Sequence, residues 1–354
     1  MVYPQNSIKV LALTIGDINR ASSRLRVFNV FNELQIYDNE KVVILSRHRS
    51  ILSNRIFNFI LNYFVFYLKI CFYLIFQINK SSVVYVQECV LPNYLIFFLK
   101  KRSKRIIFDF SDPLDVILGK YKRKTSILSQ LSISKFYKGL RLYHNVIVEN
   151  PNYIKLLRKH CFNIKCISGP VSKDYFAPYR RVGKIITIGW IGSPGTFHFV
   201  EKLINKICLN ITQNNLRIVL MGCNKSYRNS DPRVNIVKWS LDSESKTYKI
   251  IDIGLLWLPT QKINKYRGAG KLFMYLAANT SVLSTNFGIA KETLKNTQLQ
   301  HNLLPNDYSV WINTILSKIN NVSAIDKEKR IGGDLCRKHY SIQENKDFYK
   351  KVLK

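Results

Sequence analysis

The chain reads as an α/β protein built from two Rossmann-like halves, each a parallel sheet with helices on both faces. Three observations lead there. Short apolar runs of strand length alternate with helical stretches along the chain, the pattern of a parallel sheet. The first strand of each half ends in a glycine turn, at Gly16 and at Gly189, Gly192 and Gly195. Between the halves lies a joint carrying two prolines, from Gly169-Pro170 to Arg181. At 354 residues the chain is long enough for two domains.

The first half opens with a strand from Val10 to Ile15, and Gly16-Asp17 turns the chain. A helix then begins around Arg20 to Val27, with Ser22 or Ser23 available as N-cap. Lys41 to Ser46 is the second strand. From Arg55 to Gln77 runs an unusually apolar stretch whose polar residues Arg55, Asn58, Asn62 and Lys69 share one helical face. Lys69 and that stripe argue against a membrane span, which needs ~20 nearly uncharged residues. A helix so apolar is either deeply buried or lies in a membrane interface, and burial is the default expectation. Strands follow at Ser82–Gln87, Arg105–Phe110, Asn145–Glu149 and Asn163–Ile167. Sites in such sheets lie at strand carboxyl ends, here Gly16, Gln87–Glu88, Asp109–Asp112 and Glu149–Asn150.

The second half opens with the strand from Ile185 that runs into Gly189-Trp190-Ile191-Gly192-Ser193-Pro194-Gly195-Thr196. Strands are expected at Leu216–Met221 and Val234–Trp239. Gly254–Leu258 is a buried strand closed by Pro259. A basic loop, Thr260 to Arg267, leads through Gly268-Ala269-Gly270 into a helix from Lys271 to Ala278. Val282–Ser284 is the next strand, and helices near Tyr308–Ile319 and Ser341–Leu353 end the chain.

The 55 Lys and Arg against 22 Asp and Glu leave a formal charge of +33, which suits a phosphate-bearing partner or an anionic lipid surface. A merely solvated basic surface in a Lys-, Asn- and Ile-rich chain is the competing explanation. The basic residues are spread along the whole chain and no RNA- or DNA-binding motif occurs, so nucleic acid is disfavoured as a partner. The seven cysteines form no CxxC pair, which implies neither a zinc site nor a disulfide framework. The opening run looks like a first strand rather than a signal peptide, so a cytoplasmic location is expected.

The G-x-x-G-x-x-G of Gly189, Gly192 and Gly195 is not the dinucleotide fingerprint, and Gly270-Lys271 lacks the flanking residues of a P-loop. No cofactor is expected. What remains is backbone N–H near Gly192, Ser193, Gly195 and Thr196 suited to cradle a phosphate. A second anion site is expected where Arg267, Gly270 and Lys271 open a helix.

Asp252-Ile253-Gly254, Lys271-Leu272-Phe273, Tyr275-Leu276-Ala277-Ala278, Ser281-Val282 and Gly288 with Glu292 match, in order and spacing, the C-terminal half of family 4-type glycosyltransferases. The segment Gly189–Thr196 matches their "GW.GSP.T" loop, and Gly169-Pro170-Val171 with Tyr175–Pro178 their inter-domain joint. Ser22–Arg26, Gln87–Glu88 and Asp109–Asp112 are similar to segments of their first half. The resemblance implies the GT-B fold: a first domain over 1–170, a nucleotide-sugar domain over 171–335, and a last segment over 336–354 whose helix crosses back to the first domain. It implies transfer of a sugar, with retention and without a metal, from a nucleotide-sugar donor to a glycan or lipid-linked acceptor. The setting would be cell-surface polysaccharide synthesis; the apolar Arg55–Gln77 stretch and the positive charge, rather than the resemblance, suggest a protein peripheral on the inner face of the membrane.

In that reading Lys271 stabilises the departing diphosphate. Gly192, Ser193, Gly195, Thr196, Arg267, Gly270, Met274 and Glu292 surround the donor. Gly16, Arg24, Arg26 and Glu88 line the acceptor side. Asp109, Asp112, Glu88 and His144 are the groups that could act as an acceptor-side base. The family's paired glutamates fall at Tyr266 and Met274, and neither residue is acidic. A GT-B protein without activity, serving as a binding or scaffolding subunit of a glycan-assembly complex, is therefore the alternative.

Overall fold

The computed structural model describes residues 9–36, 41–48, 55–114 and 127–353, with side chains except those of 55–60 and 127–130. The chain divides into two compact units, Met1–Pro170 with Asn345–Lys354, and Val171–Glu344. Each holds one six-stranded sheet, and every strand pairing is parallel.

In the first unit the strands are β1 (Val10–Gly16), β2 (Val42–His48), β3 (Val83–Gln87), β4 (Arg105–Phe110), β5 (Asn145–Val148) and β6 (Ile164–Cys166), in the order β2-β1-β3-β4-β5-β6. The chain leaves β1 first to one side and then to the other, so the sheet reverses direction between β1 and β3. Ligands of open α/β sheets bind at such a point, beyond the carboxyl ends. The runs VLAL of β1 and VVYV of β3 are buried on both faces, which is why they read as continuous rather than alternating apolar segments. The last helix, Lys346–Leu353, belongs to this unit, where Arg105 donates to the Lys351 carbonyl.

The second unit contains β7 (Ile186–Ile191), β8 (Leu216–Met221), β9 (Val234–Val237), β10 (Ile253–Leu256), β11 (Ser281–Thr285) and β12 (Leu303–Leu304), in the order β12-β11-β10-β7-β8-β9. Its reversal point falls between β7 and β10. Trp190, Phe197, Leu220, Trp257 and Trp311 belong to its core. Asp252, fully buried, accepts from Lys329 at 2.8 Å, Arg180 at 2.7 Å and the Thr187 amide at 3.0 Å. It thereby ties the joint and a long helix to the sheet, so the aspartate of Asp252-Ile253-Gly254 is an architectural ion-pair centre.

Several expectations are corrected here. Arg20, not Ser22 or Ser23, is the N-cap of the first helical segment. The two serines are drawn sideways: Ser22 donates to Glu88, and Ser23 donates to Gln87 while accepting from the Gly16 amide. Residues 262–266 of the expected basic loop form a helical turn, Lys262–Tyr266. A helix outside the expected elements runs from Val322 to Tyr340 and passes through Gly332-Gly333, although glycine is unfavourable in a helix interior. There the missing side chain makes room: a Cβ on Gly333 would lie 1.8 Å from Asn279 Oδ1. Residues 336–344, expected with the final segment, fall in the second unit. The Arg55–Phe76 helix is not deeply buried. Phe66 and Ile70 face the core, while Phe64, Phe72 and Phe76 are 60%, 51% and 66% exposed.

Candidate functional site

Two helix N-termini meet at the carboxyl end of β7. The chain leaves β7 through Gly192 and Ser193 and enters the helix Pro194–Asn210, whose capping box pairs Ser193 with Thr196. Pro194 at the first position lacks the N–H that would have stayed unbonded. Gly195 faces open space, with nothing within 4 Å of where a Cβ would stand. The turn is clamped from below. Gly192 donates to the Met221 carbonyl at 2.9 Å, and Gly222, at φ +82, packs on the Gly192 carbonyl so closely that a Cβ would lie 2.2 Å away. Both positions therefore demand glycine, by close approach at Gly192 and by close approach and backbone sign at Gly222.

The second N-terminus belongs to the helix Gly270–Ala277. Its Lys271 reaches the first: Nζ lies 3.4 Å from Thr196 Oγ1 and 5.0 Å from the centre of the Trp190 ring. A Cβ on Gly192 would come within 2.8 Å of the same ammonium. Burial, then the nearby Arg267 guanidinium, bring the Lys271 pKa down to about 8. An ammonium at a helix N-terminus is already unfavourable. Two cations and two positive helix ends at one place make a positively charged corner suited to an anion. Tyr275 holds this geometry from behind, since its hydroxyl accepts from the Ile191 amide at 3.0 Å and donates to the Gly189 carbonyl at 3.2 Å.

Sequence reading assigned no role to Trp190 or Tyr275. Trp190 was visible beside Gly189 at the end of the strand, but that its ring faces Lys271 depends on a residue about eighty positions on.

In the first unit the reversal point centres on Glu88. This residue has φ +54, rare for a non-glycine residue, and sits just past β3. Its carboxylate accepts from the Ser22 hydroxyl at 2.8 Å and from the Ser111 amide at 3.2 Å and hydroxyl. Glu88 thus joins the loops that follow β1 and β4. Gly16 ends β1 beside it, and Arg24 braces the β1 loop by donating to the Ile18 and Asn19 carbonyls at 3.0 and 3.2 Å. Asp112 is half-buried in the loop after β4.

The side chains of Asp109 and Arg26 stand apart from that edge. Asp109 is fully buried, accepts from Arg26 Nε at 2.6 Å and from the Tyr85 hydroxyl, and lies inside the sheet. Arg26, 1% exposed, also donates to the Ile167 and Gly169 carbonyls. Burial pushes the Asp109 carboxyl up and Arg26 pulls it back. A carboxylate so enclosed has no surface to offer an acceptor, and the pair holds the first helical segment to the joint. His144 precedes β5, at the amino-terminal edge of the sheet, and accepts from the Ile106 amide. Asp109 meets Glu88 through the backbone, its carbonyl accepting from the Glu88 amide at 2.9 Å, while its carboxylate is turned to Arg26 and Tyr85.

No family model matches the sequence, and no curated protein matches it. Solved structures do match. A sucrose-phosphate synthase from Thermosynechococcus elongatus superposes with a TM-score of 0.67 at 12% identity, over 97% of this chain and 99% of the other. Anabaena HepE, solved in complex with UDP, gives 0.64 at 10% identity over 98% and 99%. A glycosyltransferase from Rickettsia africae gives 0.59 at 16% identity over 99% of each. The chain has the GT-B fold.

Within this GT-B chain the positions matching the paired glutamates differ in setting. Met274 is 4% exposed, packed into the second unit's interior. Tyr266 ends the short Lys262–Tyr266 helix and is half-buried. Glu292 lies on the helix Gly288–Leu294, where it pairs with Lys295 one turn on. The structure gathers Gly192, Ser193, Gly195, Thr196, Arg267, Gly270 and Lys271 at one place. Met274 adds no polar atom to it, and Glu292 is engaged with its own helix.

Proposed function

We propose that the protein transfers a sugar from a nucleoside-diphosphate sugar to a glycan or lipid-linked acceptor. The observation that carries this reading is the meeting of two helix N-termini, Lys271 and Arg267 at the reversal point of the second sheet. A diphosphate fits such a site because its charge grows as the glycosyl bond breaks, and preorganised positive groups stabilise that growing charge more than the ground state. HepE, which shares the fold, has been solved with UDP and with UDP-glucose, which supports a uridine nucleotide as the first donor to test. The reading includes no metal, since Lys271, Arg267 and the helix ends supply the positive charge. Retention of configuration comes with the family 4-type resemblance.

On the acceptor side Gly16, Arg24, Glu88 and Asp112 mark the carboxyl edge of the first sheet. Seven free thiols accord with a reducing, cytoplasmic setting, and the resemblance points to cell-surface polysaccharide synthesis.

The test is a thermal-shift screen over nucleotides and UDP-sugars, followed by assay of UDP release. A donor at 100 times its dissociation constant stabilises by ~2.7 kcal/mol. Stabilisation by a UDP-sugar with slow release of UDP supports transfer. One observation favours a second reading, an inactive GT-B binding subunit: Met274 and Tyr266 offer no carboxylate to ribose or sugar. Binding of nucleotide without any turnover would select it, and no binding of any nucleotide would remove both.

A further inference from the structure

Three helices of the first unit share an unusual surface. On Arg55–Phe76, Phe64, Leu68, Phe72 and Phe76 are exposed; on Asn93–Arg102, Tyr94, Phe97 and Phe98; on Ile127–Leu140, Leu131. An exposed apolar area of this kind marks an interaction surface. Among these helices lies a cavity of about 450 Å³. Ile96, Phe108, Phe136, Leu140 and Tyr143 form its inner wall, and Tyr94 and Lys135, both exposed, stand at its rim. Among the described residues Lys135 is the sole charged one lining it. The inner wall is mostly apolar, Asn93, Ser132 and Lys135 are polar residues of its lining, and the volume is that of a small-ligand site, which suits a ligand with an apolar body and a polar end.

Charge selects the occupant. The three helices contain no Asp or Glu, but carry Arg55, Lys69, Lys100, Lys101, Arg102, Lys135 and Lys138. Lys101 Nζ sits 4.6 Å over the Phe97 ring, so an aromatic anchor and an ammonium are presented together. That pairing suits a ring at the acyl boundary with the charge among phosphates. No helix among the described residues is long and apolar enough to cross a membrane. A bilayer contact made by this surface would therefore be peripheral rather than spanning.

We propose that this face docks on an anionic lipid bilayer and that the cavity receives one hydrocarbon chain of a bilayer lipid. The inference deepens the lipid-linked arm of the proposed function. Its test needs no transfer assay, so either can fail alone.

Flotation with phosphatidylcholine vesicles containing about a third phosphatidylglycerol, against phosphatidylcholine alone, reads the docking. The protein should float with the anionic vesicles and be released at ~0.5 M salt. Lys101→Glu with Lys138→Glu should weaken partition roughly 10-fold or more. Phe64→Ser with Phe72→Ser should weaken it as well without lowering the melting temperature, since both side chains are exposed.

Phosphatidylglycerol carrying a photoreactive group on one acyl chain reads the cavity. Labelling should fall on residues 90–96 and 132–143 and disappear in Ser132→Trp, a variant that should still float. The wild-type labelling map decides the point even if that variant misfolds. Labels confined to Phe64 and Phe72 would overturn the chain site. Equal flotation with neutral vesicles, or a concentration-dependent dimer broken by Phe64→Ser with no vesicle binding, would overturn the docking.

Discussion

Lys271 is an ammonium that the folded state keeps at a cost, and replacing it separates stability from function. Its pKa falls from the ordinary 10.5 to about 8 through burial and then Arg267. That displacement corresponds to about 3 kcal/mol against the charged form, an upper value for a residue that retains some solvent contact. The folded pKa lies below the unfolded one, so between pH 8 and 10.5 the unfolded chain holds more protons. Stability therefore rises with pH across that window as the penalty is relieved. Lys271→Met, which keeps the length and removes the charge, should stabilise the protein at pH 7 by about 1–3 kcal/mol. The same variant should lose the nucleotide contact, lowering turnover by ~10²-fold or more.

Anion binding favours the ammonium, so donor affinity should decline as pH rises above about 8. Lys271→Arg, charged throughout, should not show this decline. Denaturant melts at pH 7 and pH 9.5 and calorimetric titration of UDP at both values check these points. A Lys271→Met protein less stable than wild type at pH 7, or UDP affinity that is flat with pH, would refute the reasoning.

Gly222→Ala places a Cβ 2.2 Å from the Gly192 carbonyl at φ +82, so it should destabilise by roughly 1–3 kcal/mol and weaken nucleotide binding together, read by thermal melts with and without UDP. Asp109→Ala removes the close carboxylate from the buried Arg26, leaving Glu149 at 3.8 Å, and should cost about 3 kcal/mol, with UDP binding at the second unit unchanged; a stable but inactive variant would instead return Asp109 to the chemistry. Met274→Glu would bury a carboxylate at a 4% exposed position and should lower the melting temperature by several degrees without tightening UDP. A tighter UDP complex would mean that position 274 faces the ribose after all.

The alternation of apolar runs with helices, the glycine turns and the proline-bearing joint were determined by local sequence, because period, turn chemistry and backbone freedom act over a few residues. They sufficed for two parallel sheets, and for Gly192–Thr196 and Gly270–Lys271 as the starts of two helices. Tertiary structure decided what depends on distant partners. It closed Asp109 into a buried pair with Arg26, 83 residues away, although its place at a strand end looked catalytic. It set the Trp190 ring against Lys271, and it buried that lysine beside Arg267, which lowers its pKa. It also turned the aromatic face of Arg55–Phe76 outward. Periodicity reports that a helix has an apolar face but not what covers it, because burial is a property of neighbours the local sequence does not name.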